Sequence, residues 1–282
     1  MGSRRLGVRR MEALVDDLLD SSTLNGINGS QFVMDDPDRY CLYENFSRRP
    51  ALNASIATAF NLDFELKGTN ASNDDVTYSA ASAGLQLQTD GADDDSIIIL
   101  PHLDTNQSAW TGCKWGTENQ VQWETMIRTD ASVADMCWYA GLKLTNDEAY
   151  ATDADQVYFL YDSTDDSGAL TTNANLHLVY SVGGTDYITD LGIVVAANTN
   201  YRLAISIDSN RKAAVWVDGE QYSLSELGTA GGDTMSPAKG AVRSAALTND
   251  VDLIPYVGVK ARALAAKTLH LSYERINRII FE

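Results

Sequence analysis

The sequence predicts an all-β protein, an antiparallel sandwich preceded by a short helical arm. Three observations predict it. An apolar hairpin runs from Tyr201 to Gly219, and strict two-residue alternation recurs in short segments from Phe60 onward. Turn clusters separate those segments at intervals of about 8–15 residues, the spacing of sandwich strands. Helical periodicity is confined to residues 11–20, and no internal repeat or heptad array follows it.

In the hairpin, Tyr201, Leu203, Ile205 and Ile207 alternate with Arg202, Ala204, Ser206 and Asp208. Asp208-Ser209-Asn210-Arg211 is turn chemistry. Ala213, Val215 and Val217 resume the alternation, with Ala214 and Trp216 on the other face, until Asp218-Gly219 turns the chain again. A second strand this apolar on both faces belongs inside a sheet, not at its edge.

From the N-terminus, residues 1–10 are basic and residues 11–20 (MEALVDDLLD) fit a helix. Met11, Leu14, Val15, Leu18 and Leu19 form one continuous apolar stripe. Its charges oppose the helix dipole: Arg4, Arg5, Arg9 and Arg10 precede it, and Asp16, Asp17 and Asp20 sit towards its end. It is also shorter than the ~12–15 residues an isolated helix needs. Its leucines therefore need a surface, either this chain's own sandwich or, as we prefer, another subunit.

Residues 21–58 read as a connector with a flexible Ser/Asn/Gly tract. Tyr40, Leu42, Tyr43 and Phe46 suit a short strand or a neighbouring surface. The expected division is an arm of residues 1–40 and a sandwich of residues 41–282. Phe60, Leu62, Phe64 and Leu66 then alternate with Asn61, Asp63, Glu65 and Lys67, a half-buried strand closed by Gly68 whose solvent face holds Asp63 and Glu65. Further strands are expected at 84–89, 95–100, 120–129, 136–144, 155–161, 175–182, 185–189, 200–208, 212–218, 254–260 and 266–280. Residues 225–250, rich in Gly, Ala, Ser and Thr, read as a long loop, a feature usually functional or in contact with a partner.

The hairpin, with Ile207-Asp208, a short polar turn and Val215-Trp216-Val217-Asp218-Gly219, resembles the central hairpin of concanavalin A-like (laminin G, lectin and glucanase) jelly rolls. The runs 84–92 (GLQLQTDGA), 96–102 (SIIILPH), 114–119 (KWGTEN) and 122–128 (QWETMIR) resemble such domains in structural proteins of marine tailed bacteriophages. So does the opening Met1-Gly2-Ser3-Arg4-Arg5-Leu6. The resemblance takes in residues 60–282 and the N-terminus. It implies a concanavalin A-like antiparallel jelly-roll β-sandwich in a virion structural protein.

Charge is unevenly placed. The net charge is −18, and the first ten residues hold four arginines and no acid, which leaves −22 on the other 272. An acidic body repels nucleic acid and anionic lipid, so neither is an expected partner, and no apolar run approaches the ~18 residues of a membrane span. Cys41, Cys113 and Cys137 lack metal-ligand spacing and read as reduced thiols serving as small core residues. Five Asn-X-Ser triplets occur without a signal peptide and read as chance, so synthesis in a reducing host cytoplasm is expected.

Candidate chemistry is thin. Sandwich glucanases set two or three carboxylates on one strand as Glu-x-Asp-x-x-Glu or Glu-x-Asp-x-Glu. Here Glu124 stands alone on its strand, so the chain is expected not to be an enzyme. His102, His177 and His270 fall on separate strands without metal-binding spacing, and no metal site is expected. Loops bearing Asp147, Glu148, Asp153 and Asp155, then Asp162, Asp165 and Asp166, have the oxygen donors calcium uses but not the EF-hand order, so no cofactor is expected, with calcium the one candidate. Trp123 and Trp216 lie within strands and read as core; Trp110 and Trp115, beside Gly112 and Gly116, are the candidate glycan-stacking platforms.

The expected role is a phage virion structural protein, a decoration or cement protein on the capsid exterior. Arg4, Arg5, Arg9, Arg10, Met11, Leu14, Val15, Leu18 and Leu19 would anchor it to the major capsid protein. A closed homo-oligomer is expected, a homotrimer above others because it suits the three-fold positions of an icosahedral shell. The alternative is a carbohydrate-binding receptor module of a tail or head fibre.

Overall fold

The computed structural model describes residues 38–47, 50, 52–53, 64–103, 107–108, 115–145, 147, 153–165, 167–170, 172–224 and 235–280. The anchoring residues of the arm, Trp110 and Cys113 lie outside them. In chain order the strands are β1 (Arg39–Glu44), β2 (Leu52–Asn53), β3 (Phe64–Lys67), β4 (Val76–Tyr78), β5 (Leu85–Gln88), β6 (Ser96–Leu100), β7 (His102–Leu103), β8 (Gln107–Ser108), β9 (Gln122–Thr129) and β10 (Met136–Lys143). They continue with β11 (Gln156–Asp162), β12 (Asn175–Val182), β13 (Thr185–Val194), β14 (Asn200–Ile207), β15 (Ala213–Val217), β16 (Glu220–Leu224), β17 (Met235–Pro237), β18 (Ile254–Ala261) and β19 (Thr268–Ile279). Two single-turn 3-10 helices, Asn73–Asp75 and Thr117–Asn119, are the only helices among the described residues.

Two sheets form the sandwich. The first has nine strands in the order β17-β16-β15-β14-β9-β19-β5-β4, with β1 also on β19. The second has eight, β13-β12-β11-β10-β18-β6-β3-β2. All ladders are antiparallel except the two-residue β2–β3 pair. The spine of the first sheet is β19. One edge pairs with β9 from Leu269 to Asn277, and the other pairs with β5 at its start and β1 at its end. A bulge between Leu271 and Tyr273 lets the strand change partners and keep its apolar side inward. Just before β5, Gly84 takes a φ of +100°, and a side chain there would strike the Leu271 carbonyl.

The core lies between the sheets. Leu85, Leu87, Trp123, Ile127, Leu203, Ile205, Val215, Leu269 and Leu271 come from the first sheet. Leu66, Ile97, Ile99, Trp138, Phe159, Leu178 and Val259 come from the second. Hairpin β14–β15 is thus a core element, flanked on both sides in its sheet. Ile205 is fully buried opposite Val215 and Trp123, so Ile205→Val should cost about 0.5–1.5 kcal/mol. An unchanged midpoint in a denaturant melt would show that this hairpin is not central.

The outer faces of the two sheets differ. The second sheet is buried on both sides: Ile98, Leu100, Tyr139, Tyr158, Leu160, Val179, Ile254 and Tyr256 form a second apolar cluster. Segments such as Ser96–Leu100 therefore read as unbroken apolar runs. Lys143 is enclosed in that layer, its ammonium 4.9 Å and 5.5 Å from the ring centroids of Tyr256 and Tyr158 and donating to the Asp147 carbonyl. On the first sheet the outward positions are mostly polar or half-exposed instead, the buried Ala204 excepted. Glu65, expected on a solvent face, is buried, because its strand is covered on both sides; it keeps an ion pair with Lys67 at 3.3 Å.

Among the described residues the first strand starts at Arg39, so Arg39 and Tyr40 are part of the first sheet. Residues 235–237, expected within a loop, form β17 on β16.

Candidate functional site

The outward face of the nine-stranded sheet can be read row by row from the strand register. One row crosses five strands: Tyr43 on β1 opposes Arg275 on β19, then come Glu124 on β9, Ala204 on β14 and Trp216 on β15. Below it run Cys41, Asn277, Gln122, Ser206 and Ala214. Above it run Tyr273, Met126 and Arg202, and then Gln86, His270, Arg128 and Asn200. Tyr43 and Trp216 flank this stretch of the row, which continues to Gln221 on β16. Ala204 lies between Glu124 and Trp216, and the small Ser206 and Ala214 lie beside it in the row below. Four inter-strand steps separate the backbones of Tyr43 and Trp216 by roughly 19 Å.

Glu124 is the chemical centre of this face and only 2% exposed. Its Oε2 accepts from Arg275 Nη2 at 2.6 Å, and its Oε1 accepts from the Tyr273 hydroxyl. Burial, reinforced by the Glu124 charge, pushes the Tyr273 phenol well above its usual range, so it remains a donor. The Arg275 guanidinium lies 6.0 Å from the Tyr273 ring, which in turn lies 6.0 Å from that of Tyr43. Tyr43 is 49% exposed and shows this cluster to solvent.

Amides extend the polar floor. Asn277 donates to Gln122 Oε1 at 3.1 Å and accepts from Arg39 at 2.7 Å. Gln86 donates to Gln88 at 2.8 Å. His270 lies within 2.9 Å of Ser79 Oγ through Nδ1, and burial lowers its pKa, which favours the uncharged ring. This chemistry suits binding: planar amides, a fixed carboxylate, guanidinium groups and half-exposed rings on rigid strands.

It does not assemble two catalytic carboxylates. Glu274, next to Arg275 in sequence, points to the opposite, inner face and accepts from Trp123 Nε1 at 2.8 Å. Among the described residues, Glu124 is the only carboxylate at an outward strand position of the first sheet.

The residues singled out from sequence are dispersed. Trp115 is a correction: it is 2% exposed, packed in the core with its ring 6.2 Å from that of Tyr40, and has no face to offer a sugar. Trp216 is the converse. Expected as core, it is half-buried on the outer face, because Val215 and Val217 take the inward positions. Trp123 and Trp138 are core, the latter 6.1 Å and 6.3 Å from Tyr161 and Tyr201. His177 is buried on the second sheet, its Nδ1 3.0 Å from the Asn175 carbonyl.

The acidic loops spend their oxygens separately. Asp153 accepts from the Leu144 and Thr145 amides and the Thr145 hydroxyl, and Asp155 accepts from the Thr248 amide. Asp162 binds Arg262, while Asp165 accepts from Ser167 and Leu170. No group of three or more His, Cys, Asp or Glu side chains with metal-binding geometry occurs among the described residues, and Glu148 and Asp166 lie outside them. Burial raises the Cys41 and Cys137 thiols, Cys137 well above its usual value.

Sequence alone does not single out Arg128, Arg202, Arg275, Tyr43 or Tyr273. The available signal is alternation: Gln122, Glu124, Met126 and Arg128 share one parity, as do Asn200, Arg202, Ala204 and Ser206. Which strands lie side by side cannot be read from parity.

No family model and no curated protein matches the chain. Among solved structures, an endo-acting O-glycanase of the human gut microbiota, associated with mucin breakdown, aligns with a TM-score of 0.52 at 5% identity, over 84% of this chain and 98% of that one. Peanut lectin aligns at 0.47 with 12% identity over 86% and 99%. A carbohydrate-binding module from Bacillus subtilis aligns at 0.39 with 9% identity over 73% and 91%. The fold is an all-β antiparallel sandwich, and the solved structures it resembles include a glycanase as well as a lectin and a carbohydrate-binding module.

Proposed function

We propose that this chain is a non-enzymatic structural protein of a tailed-phage virion, a decoration protein carried on the capsid exterior. One observation carries the reading: the described strands are drawn from residues 39 to 279, while four arginines and a leucine stripe are set together in the first 20 residues of a chain that carries −22 beyond its tenth. Those residues then serve attachment to the major capsid protein while the acidic body faces outward. The likeness of the N-terminus and of several strand segments to marine phage structural proteins supports the same reading, and a homotrimer is the assembly it favours. The spent Glu124 carboxylate, held by Arg275 and Tyr273, supports the non-enzymatic part.

Cosedimentation with undecorated capsids tests it. Deleting residues 1–20 is expected to leave a folded sandwich that no longer attaches. Leu14→Asp with Leu18→Asp should do the same, because docking would bury two unpaired carboxylates. Replacing Arg4, Arg5, Arg9 and Arg10 with Ala should weaken attachment less, and mostly at low salt, since exposed ion pairs are screened. Full attachment of the truncated protein would overturn the reading.

A second reading, a carbohydrate-binding receptor module on a tail or head fibre, is favoured by the aromatic and amide-lined outer face of the first sheet. Copy number relative to the major capsid protein separates the two: many copies per particle for a decoration protein, few for a fibre.

A further inference from the structure

We propose that the outer face of the nine-stranded sheet binds an acidic oligosaccharide, one bearing carboxylate or sulfate groups, laid along the row from Tyr43 to Trp216. The inference rests on the carbohydrate-recognition reading and adds the site and the charge of the ligand.

The first argument is charge. The chain carries −18 overall, yet the outward strand positions of this sheet hold Arg39, Arg128, Arg202 and Arg275 against the single carboxylate of Glu124. Those strand positions sum to +3, bordered by Asp218, which accepts from the Arg202 amide at 2.8 Å, and by Asp130 near His270, on a chain that is strongly acidic overall. An anion drawn to this protein is repelled elsewhere and focused here.

The second argument is shape and chemistry. Trp216 and Tyr43 flank a stretch of the row made of Ala204 and the Glu124–Arg275 pair, and Gln221 on β16 follows Trp216. Rings of this kind stack on sugar faces. The span between them suits a short oligosaccharide. Arg202 and Arg128 line one side of the row, two and four residues along their strands, where acidic substituents of the sugar would fall. A protein partner would need an apolar centre, and beyond its aromatic rings the described part of this face offers as large apolar side chains only Met126 and, at the end of β19, Ile279 opposite Arg39.

The test uses the full-length protein in calorimetric titrations with oligogalacturonate, chondroitin sulfate oligosaccharide and neutral dextran oligosaccharide, at low and moderate salt. Binding of either acidic probe but not dextran, weakening with salt, is expected. Arg128→Gln with Arg202→Gln should reduce affinity at least tenfold, and Trp216→Ala by a similar factor. Thermal melts of both variants should match the wild type, because these side chains are on the surface layer. Equal binding of dextran would overturn the charge assignment and leave carbohydrate recognition standing. Absence of binding to all three probes overturns the inference, and a wider neutral-glycan panel then decides whether the recognition reading survives. Self-association by sedimentation that disappears in the double arginine variant, with no saccharide bound, would assign the face to a second copy of this chain instead.

Discussion

Replacing Trp123 with alanine is expected to destabilise the sandwich severely, for two reasons that act together. The indole is fully buried in the core, between Ile205 on β14 and Ile276 on β19 in the strand register. Truncating a buried Trp to Ala typically costs about 3–5 kcal/mol, from lost transfer free energy and the cavity left behind. The substitution also removes the Nε1 donor that satisfies Glu274 Oε1 at 2.8 Å, and leaving a buried acceptor without its donor costs about 1–3 kcal/mol more. Trp123→Phe separates the two: most of the volume stays and only the donor goes. Urea melts should rank wild type above Trp123→Phe and Trp123→Phe well above Trp123→Ala. Equal midpoints for the wild type and Trp123→Phe would show that the Glu274 contact contributes nothing.

How far such a core is legible in the sequence depends on whether alternation has one solution. At 175–182 the expected strand and β12 coincide, since Asn175 and Val182 are bounded by turn residues on both sides. Along β14 the parity is decided by Arg202 and Ser206, which cannot share the core with Leu203 and Ile205. β15 has no such arbiter within itself. Ala214 and Trp216 are as apolar as Val215 and Val217, and the inward set is decided only by the neighbours, Leu203 and Ile205 on one side and Tyr222 on the other.

The same limit hides the site. Trp115 reads as exposed because glycines and polar residues surround it in sequence, yet its ring packs on Tyr40, a residue 75 positions earlier. The Glu124–Arg275 pair spans 151 positions, and a long-range pairing of β9 with β19 creates it. Short elements escape for a different reason. Met235–Pro237 has three residues, too few for a period, and becomes a strand because β16 supplies an edge. The asymmetry of the two sheets has a partial signal: SIIIL and the run QVYFLYD lack polar alternation and are buried on both faces, whereas QWETMIRT alternates and has one face towards solvent.

The second large effect concerns pH and falls on the partner of Trp123. Glu274 is fully buried, and burial pushes its carboxyl from the ordinary 4.5 up to about 7. The Trp123 donor opposes that rise, while Glu44, opposite it on β1, adds to it. Thr125, opposite on β9, gives no relief, since its hydroxyl donates to the Tyr273 carbonyl at 2.6 Å. Glu274 Oε2 has no hydrogen-bond partner among the described residues. Between pH 4.5 and about 7 the folded protein therefore holds a proton that the unfolded chain has released, and stability falls as pH rises through this window. Above it the whole penalty applies, about 3 kcal/mol at about 1.4 kcal/mol per pKa unit. Asp94, whose pKa is lowered by Lys260, acts outside the window, since its contribution is lost only as pH falls below the ordinary 3.8. Glu274 is thus expected to make the protein about 3 kcal/mol more stable to denaturant at pH 4.5 than at pH 8, relative to a variant without its carboxyl. His177 and His270, whose pKa values burial lowers, oppose that difference in the wild type. In Glu274→Gln, which is neutral throughout, the Glu274 contribution should vanish. If the variant loses stability in parallel with the wild type, the pH dependence belongs to other groups and Glu274 is already ionised in the folded protein.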